Sequence, residues 1–456
     1  MRSSWDKTIT VGFIGLIVFT ALAHGAVEPW SEFLLVLWIS ALGVMWAFRI
    51  ARAGKLLLFV PANWWPLAAF FLLGLAQSIA FRDPSGKGFS LSLDVEATRG
   101  ACLIIGCLLL ASLLSANFLA HRERLLKLAQ FLTIFGLVLA TFALIQHFTW
   151  NDRFYWLRPA NTEVPFGPFV NRNHFAGYME LLLPWPMALL LTGRRSPAEK
   201  FFYIFVMGWM ALAAVFSLSR GGMISIFAEL MFLAAMAPRQ AKDEMSLLAK
   251  PRSQTASFIM RGSAVLAIVL VTLGGLTWLG AEQVINRIAA TTEINQAFTP
   301  SRNFNANRDE LWRDSWMIFR ANPLTGTGMG AFETALPIYS QGSNLGLVTS
   351  QTHNDYLQVL TDTGIIGGMI ALWFLMATTR AIWRGLRVRE PLMNNIVLAC
   401  GAALFGILVH SLFDFNLQLP SHALLFVCFS AIVAQLSELA RIISTARVAR
   451  LVAVPE

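Results

Sequence analysis

Residues 201–237 read FFYIFVMGWMALAAVFSLSRGGMISIFAELMFLAAMA, an apolar run about twice as long as one bilayer crossing requires. One straight helix of that length would leave half of its apolar surface in water, so the chain must reverse. Only Ser217-Leu-Ser-Arg-Gly-Gly222 supplies turn residues. The run therefore reads as two membrane helices, 201–218 and 222–237, with Arg220 at the tip of the hairpin. A guanidinium so close to the apolar phase costs on the order of 2.5 kcal/mol or more at mid-membrane and less toward the interface. Arg220 should face protein, water or an anion, and the two glycines after it let backbone or ligand approach. A plain interfacial anchor is the competing reading.

The rest of the chain has the same character. Of the 456 residues 56% are hydrophobic and 13% charged, with a mean hydropathy of +0.60, which excludes a soluble enzyme built around one core. The net charge of +9 would suit nucleic acid, but the basic residues sit in short clusters between apolar runs, which is a topology signal. Span-length runs predict an all-α polytopic membrane protein of about twelve helices, near 8–24, 31–48, 62–80, 98–117, 128–147, 173–192, 201–218, 222–237, 263–281, 364–383, 396–413 and 421–437. With the N-terminus inside, cytoplasmic segments carry about two-thirds of the 35 Lys and Arg residues, so both termini are expected in the cytoplasm. The expected organisation is nine helices with short loops over 1–281, a large extracytoplasmic loop over 282–363, partly helical, and three helices with a cytoplasmic tail over 364–456. Ala21-Leu-Ala23 after an apolar run resembles a signal-peptide cleavage site, but the first span is read as retained. All four cysteines fall inside spans, so a disulfide framework is not expected.

The chemistry-bearing residues gather on segments assigned to one side. Thr349–Gly368 ends the longest polar interval, and Thr352 to Asp355 fits a capped helix start, with Thr352 as N-cap and His353 in the first turn. There the helix dipole would help to keep the ring neutral and able to accept a proton. A structural cap or a bond to interfacial water explains the same spacing. Asn307-Arg-Asp-Glu310 opens a second short helix, with Leu311, Trp312, Ser315, Trp316 and Phe319 as a stripe that would lie on the membrane or the bundle. This puts Arg308 in a first turn, where backbone N–H groups and a guanidinium together suit phosphate oxygens. Arg302, Arg313 and Arg320 read as surface residues. Leu324–Gly330 is rich in glycine but lacks the strand and the Gly-Lys-Ser/Thr of a nucleotide site. Loop 148–172 leads into Asn171 or Asn173 as a cap, with Arg172 and His174 at the membrane entry and Pro184 and Pro186 as a kink. Snorkelling and capping are the alternative for both. Glu229 falls deep in a span, with no role assigned. His410 and Asp414 lie one helical turn apart on the same side, either satisfying each other or supporting the site.

Asn171-Arg-Asn-His-Phe-Ala-Gly-Tyr178, Ser219-Arg-Gly-Gly222, and His353-Asn-Asp-Tyr-Leu-Gln358 with its trailing Gly364-Ile-Ile-Gly367 together resemble the O-antigen ligase and polymerase superfamily. Arg308, followed by Asn322-Pro-Leu-Thr-Gly326, is similar to that family's outward-loop pattern. The resemblance covers residues 165–370. It implies a GT-C-like membrane glycosyltransferase of the cell inner membrane that uses an undecaprenyl-diphosphate-linked glycan donor and a lipid or glycan acceptor. Carried over by motif, Arg220 and Arg308 engage the diphosphate and His353 activates the acceptor. Arg172 belongs to a shared motif of less defined role, with His174, Asn354 and Asp414 as supporting residues. A base on the face of the anomeric carbon opposite the leaving diphosphate gives inversion, and with no Asp-x-Asp on an outward loop a metal-independent, cofactor-free reaction is expected, without nucleic acid. Transfer to lipid A core, to a growing lipid-linked glycan or to protein hydroxyls remain three possible outcomes. A transporter is the competing class, disfavoured by the absence of a visible repeat and by cations gathered at one surface.

Overall fold

In the computed structural model, residues 4–54, 58–82, 88–160, 165–236, 308–340, 349–388 and 390–452 are described. The helices are α1 (Ser4–Leu22), α2 (Pro29–Ala53), α3 (Trp64–Gln77), α4 (Val95–Leu114), α5 (Arg122–Phe148), α6 (Arg172–Leu182), α7 (Pro184–Leu191), α8 (Pro197–Phe216), α9 (Arg220–Met236), α10 (Arg308–Ala321), α11 (Phe332–Tyr339), α12 (Asp355–Gly385), α13 (Pro391–His410) and α14 (Pro420–Val452). Two short antiparallel hairpins, Ala80–Arg82 with Gly88–Ser90 and Arg153–Phe154 with Arg158–Pro159, decorate the connections. Among the described residues eight helices are long and apolar enough to cross a membrane. Three further expected spans fall on shorter helices, namely α3, the α6–α7 pair and α9. The span expected at 263–281, the charged loop at 238–262 and Arg302 lie outside the described residues.

Burial ranks the helices. From His174 to Leu182, α6 buries every side chain, and α7 buries Pro184 to Leu189, so this pair is central. α7 is apolar all round, as a helix in such a place should be. Pro184 opens α7 where its missing N–H costs nothing, and Trp185 donates to the Leu181 carbonyl across the joint at 3.2 Å. The expected kink is thus a break between two short helices. By contrast α2 turns Phe33, Leu37, Val44 and Phe48 outward, which is harmless against lipid tails as apolar as the side chains themselves.

The span expected at 364–383 is the second part of a longer helix. α12 begins at Asp355 and is broken at Gly364, whose φ of 61° and ψ of −160° lie outside the helical region. A break in a membrane helix frees backbone groups that must be satisfied by protein. The glycine-rich segment 323–330 does this. Ile365 and Ile366 donate to the carbonyls of Pro323 and Leu324 at 2.8 and 3.2 Å, while Thr327 and Gly328 donate to those of Thr361 and Asp362 at 2.9 and 3.0 Å. From α3, the Gln77 amide donates to the carbonyls of Thr325 and Asp362 at 2.6 and 2.8 Å. The segment that the sequence excludes as a nucleotide loop is therefore a wedge laid into a broken helix.

A Cβ at Gly326 would press into the backbone of Asp362 and Thr363, and the residue also sits at φ +67°, whereas a Cβ at Gly100 in α4 meets nothing within 4 Å. Gly326→Ala should destabilise the protein by roughly 3 kcal/mol or more, and Gly100→Ala should be neutral or stabilise by up to about 1 kcal/mol. Thermal unfolding in detergent checks this, and equal shifts for the two variants would contradict the wedge.

Candidate active site

The site is organised by the turn that joins α13 to α14. After His410 the chain tightens, with Phe413 and Asp414 both donating to the His410 carbonyl at 2.8 and 3.1 Å, and this directs the Asp414 side chain inward. Asp414 is fully buried. Its Oδ1 lies 3.0 Å from His353 Nδ1 and accepts from the Phe415 N–H at 2.9 Å, while Oδ2 accepts from the Asn173 amide at the head of α6. The Arg308 guanidinium stands 3.7 Å from Oδ2. Burial alone would raise the Asp414 pKa, but the hydrogen bond with His353 and the charge of the nearby Arg308 guanidinium hold it far below the usual carboxylate range. Asp414 is an anion throughout neutral pH.

His353 is not in the first turn of a helix. The N-cap of α12 is Asn354, which accepts from the N–H groups of Tyr356 and Leu357 at 3.0 and 3.1 Å, and Thr352 lies outside, accepting from the Asn354 N–H at 3.2 Å. His353 precedes the cap at φ +53°, a left-handed conformation costing on the order of 1 kcal/mol for a residue with a Cβ. The expectation that a helix dipole keeps the ring neutral is therefore corrected. An Asx cap wins over the Ser/Thr-type box because Asn354 reaches two N–H groups from one side chain. What sets the ring instead is a buried carboxylate on Nδ1, which orients the imidazole. Among the described residues Nε2 carries no hydrogen bond, and the side chain is 25% exposed. Proton transfer with a ligand would run through that nitrogen.

Several bonds clamp this strained residue. The Asp355 N–H donates to the Ser411 carbonyl at 3.0 Å, and its carboxylate accepts from Ser411 Oγ at 2.7 Å and the Leu417 N–H at 3.1 Å. Asn354 also donates to the Leu412 carbonyl at 3.1 Å. The Asn354 side chain is thus engaged with backbone groups of both α12 and the α13–α14 turn. The Phe415 ring packs edge-on between the rings of His353 and His174, each centroid 4.8 Å away. His174 is buried, with its ring edge-on to Phe415.

Arg308 opens α10 as expected. It donates to the Phe413 carbonyl at 2.7 Å and stays 44% exposed, keeping donors for a ligand. Trp312 donates to the Thr352 carbonyl at 3.1 Å, which ties α10 to the His353 segment. The buried face of α10 is Leu311, Asp314, Ser315 and Ile318, packed on Phe332, Ala335 and Leu336 of α11, whereas Trp316 is exposed. The helix docks on protein, so the expected stripe is turned by part of a turn.

Arg220 is the first residue of α9 and is exposed, after a turn in which Leu218 takes φ +58° and Ser219 Oγ accepts from the Gly222 N–H at 3.1 Å. The next residue, Gly221, lies so close to the α13–α14 turn that a Cβ there would be 2.9 Å from the His410 ring and 3.3 Å from Phe413 Cβ. Arg220 therefore flanks the turn that carries Asp414 and touches Arg308. Arg172 is the first residue of α6, capped by Asn171, whose side chain accepts from the Asn173 N–H at 2.8 Å.

His410 and Asp414 do not satisfy each other. His410 Nδ1 instead meets Glu180 Oε1 at 2.8 Å, with both side chains buried. Glu180 and the bond from Asn173 to Asp414 are absent from the sequence reading, which takes Asp355 only as the acid of a helix start. A signal existed for Glu180, an acid inside an expected span, of the kind recognised at Glu229. Glu229 is fully buried, with neither carboxylate oxygen hydrogen-bonded.

An imidazole backed by a buried carboxylate, beside guanidinium groups at helix starts, can deprotonate a hydroxyl and bind an anion in the same place. No curated protein matches the chain. Residues 205–372 match the family model described as O-Antigen ligase, a segment containing Arg220, Arg308 and His353. Over that segment this multi-pass membrane protein is similar to the O-antigen ligase and polymerase superfamily.

Proposed function

We propose that the protein transfers a glycan from an undecaprenyl-diphosphate carrier to an acceptor hydroxyl at the outer face of the inner membrane. The observation that carries this reading is the 3.0 Å contact of His353 Nδ1 with a buried Asp414 that also pairs with Arg308. With Asp414 on one side of the ring, Nε2 accepts the proton of the acceptor hydroxyl as its oxygen attacks the anomeric carbon. The carbon–oxygen bond to the diphosphate breaks on the opposite face, and the configuration inverts. The imidazolium formed next to Asp414 is stabilised by that carboxylate.

The leaving diphosphate gains negative charge, and fixed cationic donors stabilise it most where water is scarce. Arg220 and Arg308, with Arg172 at the neighbouring helix start, supply such donors. With these arginines as the counter-charge the reading calls for neither metal nor cofactor. The helix starts that carry them gather with His353 around the α13–α14 turn, and the excess of Lys and Arg on the other set of segments supports an extracytoplasmic position for it. Binding a lipid-linked donor there needs no nucleotide site.

His353→Ala should lower transfer by about 10²- to 10⁴-fold while undecaprenyl diphosphate still binds. The assay is single-turnover transfer with a lipid-linked donor, and a variant as fast as the wild type removes the base assignment. Asp414→Asn should lower kcat by roughly 10²-fold or more with a smaller change in donor KM, because the ring loses its carboxylate whereas Arg308 is still held by the Phe413 carbonyl. Arg220→Ala and Arg308→Ala should each weaken undecaprenyl diphosphate binding by about tenfold or more, the worth of a charge-assisted bond. Unchanged affinity in both arginine variants would move the diphosphate elsewhere.

A further inference from the structure

Glu180 and His410 have no part in the chemistry above, yet they lie directly beneath it. Their contact is 2.8 Å between side chains that are 0% and 1% exposed, inside a membrane bundle where an ionisable residue is expensive. Replacing such a pair by apolar residues is often neutral for stability, so its presence here asks for another explanation. The surroundings supply one. The Nδ1 edge of the His410 ring is taken by Glu180, and the opposite edge, Cδ2 and Nε2, is the surface that Gly221 meets, each atom 2.9 Å from where a Cβ would stand. On the other side, a Cβ at Gly222 would be 2.6 Å from Ala176 Cβ, one turn before Glu180 on α6. The hairpin that carries Arg220 is thus seated on the His410 ring and on α6, with glycines at both points of closest approach.

His410 reaches the site in a second way. Its carbonyl accepts from Phe413 and Asp414, and the Phe413 carbonyl accepts from Arg308. One residue therefore sets the Arg220 hairpin with its ring and the Asp414 and Arg308 positions with its backbone. We propose that Glu180 is a positioning residue: by fixing the His410 ring it fixes the Arg220 hairpin, and hence the spacing of the two arginines that grip the donor diphosphate. This rests on the donor-binding role proposed for Arg220. If the ring is released, it can rotate, the hairpin loses its seat and Arg220 is no longer held beside the turn to which Arg308 is bonded. Affinity for the anion then falls, while the pairing of His353 with Asp414 persists.

The test uses the full chain in lipid nanodiscs, with undecaprenyl diphosphate as the probe. Glu180→Ala should weaken binding by about tenfold, and Glu180→Gln, which keeps a hydrogen bond to His410, should stay within about twofold of wild type. In an Arg220→Ala background Glu180→Ala should add nothing, because the residue it positions is gone. In turnover assays the Glu180→Ala loss should fall on donor KM and not on kcat, the reverse of Asp414→Asn. Gly221→Ala, which pushes against the His410 ring, should weaken binding in the same Arg220-dependent way and carries the test if Glu180→Ala does not fold. Wild-type affinity in Glu180→Ala or in Gly221→Ala overturns the proposal, as does an equal loss with and without Arg220. Absence of binding to the wild-type protein is a different failure, since it removes the donor reading on which the proposal stands.

Discussion

A carboxylate with no exposed surface can remain ionised only where other groups replace its water, and Asp414 is such a group. It is served by an imidazole, an amide, a backbone N–H and a guanidinium that come from four separate stretches of chain. Each must arrive for the charge to be tolerated. Asp414 therefore couples the start of α6, the start of α10, the segment before α12 and the α13–α14 turn. Residues as far apart in sequence as Asn173, Arg308 and His353 meet because the same anion needs all of them. Breaking one link leaves a buried charge short of a partner, which is why this arrangement resists drift in geometry.

The surroundings keep that meeting point rigid. α12 is broken at Gly364, and the segment 323–330 fills the break with backbone bonds, so α10 and α12 are joined below the site as well as at it. Asp355 and Asn354 lace the start of α12 to the Ser411–Leu417 stretch. His353 can then be held at a positive φ, a conformation that a flexible loop would relax. The ring is aimed by scaffold rather than by its own preference. Underneath, the Glu180–His410 pair ties the central helix α6 to the same turn.

Much of this was legible in the sequence, because it depends on local rules. Span-length apolar runs mark most of the helices, Ser217–Gly222 marks the hairpin, and Asn307-Arg-Asp-Glu310 marks the start of α10. His353 and Arg308 stand out as polar residues at helix starts. What was hidden depends on long-range partners or on near-degenerate local choices. Thr352 and Asn354 both offer a cap, and only the Asn354 contact with Leu412 and the docking of Asp355 on Ser411 decide for the second. His410 and Asp414 have the spacing of a pair, but each finds a better partner on another element. The break in α12 is invisible to hydropathy, since Gly364-Ile-Ile-Gly367 reads as the start of a span and not as a joint.

The central claim is that the arginines and His353 act on one lipid-linked diphosphate at one place. An electron cryomicroscopy map of the full chain in a nanodisc with undecaprenyl diphosphate measures this most directly. The account predicts diphosphate density within hydrogen-bonding reach of Arg220 and Arg308, on the side of the His353 ring that turns away from Asp414. Density bound away from both arginines, or lying on the far side of the bundle from His353, would contradict it.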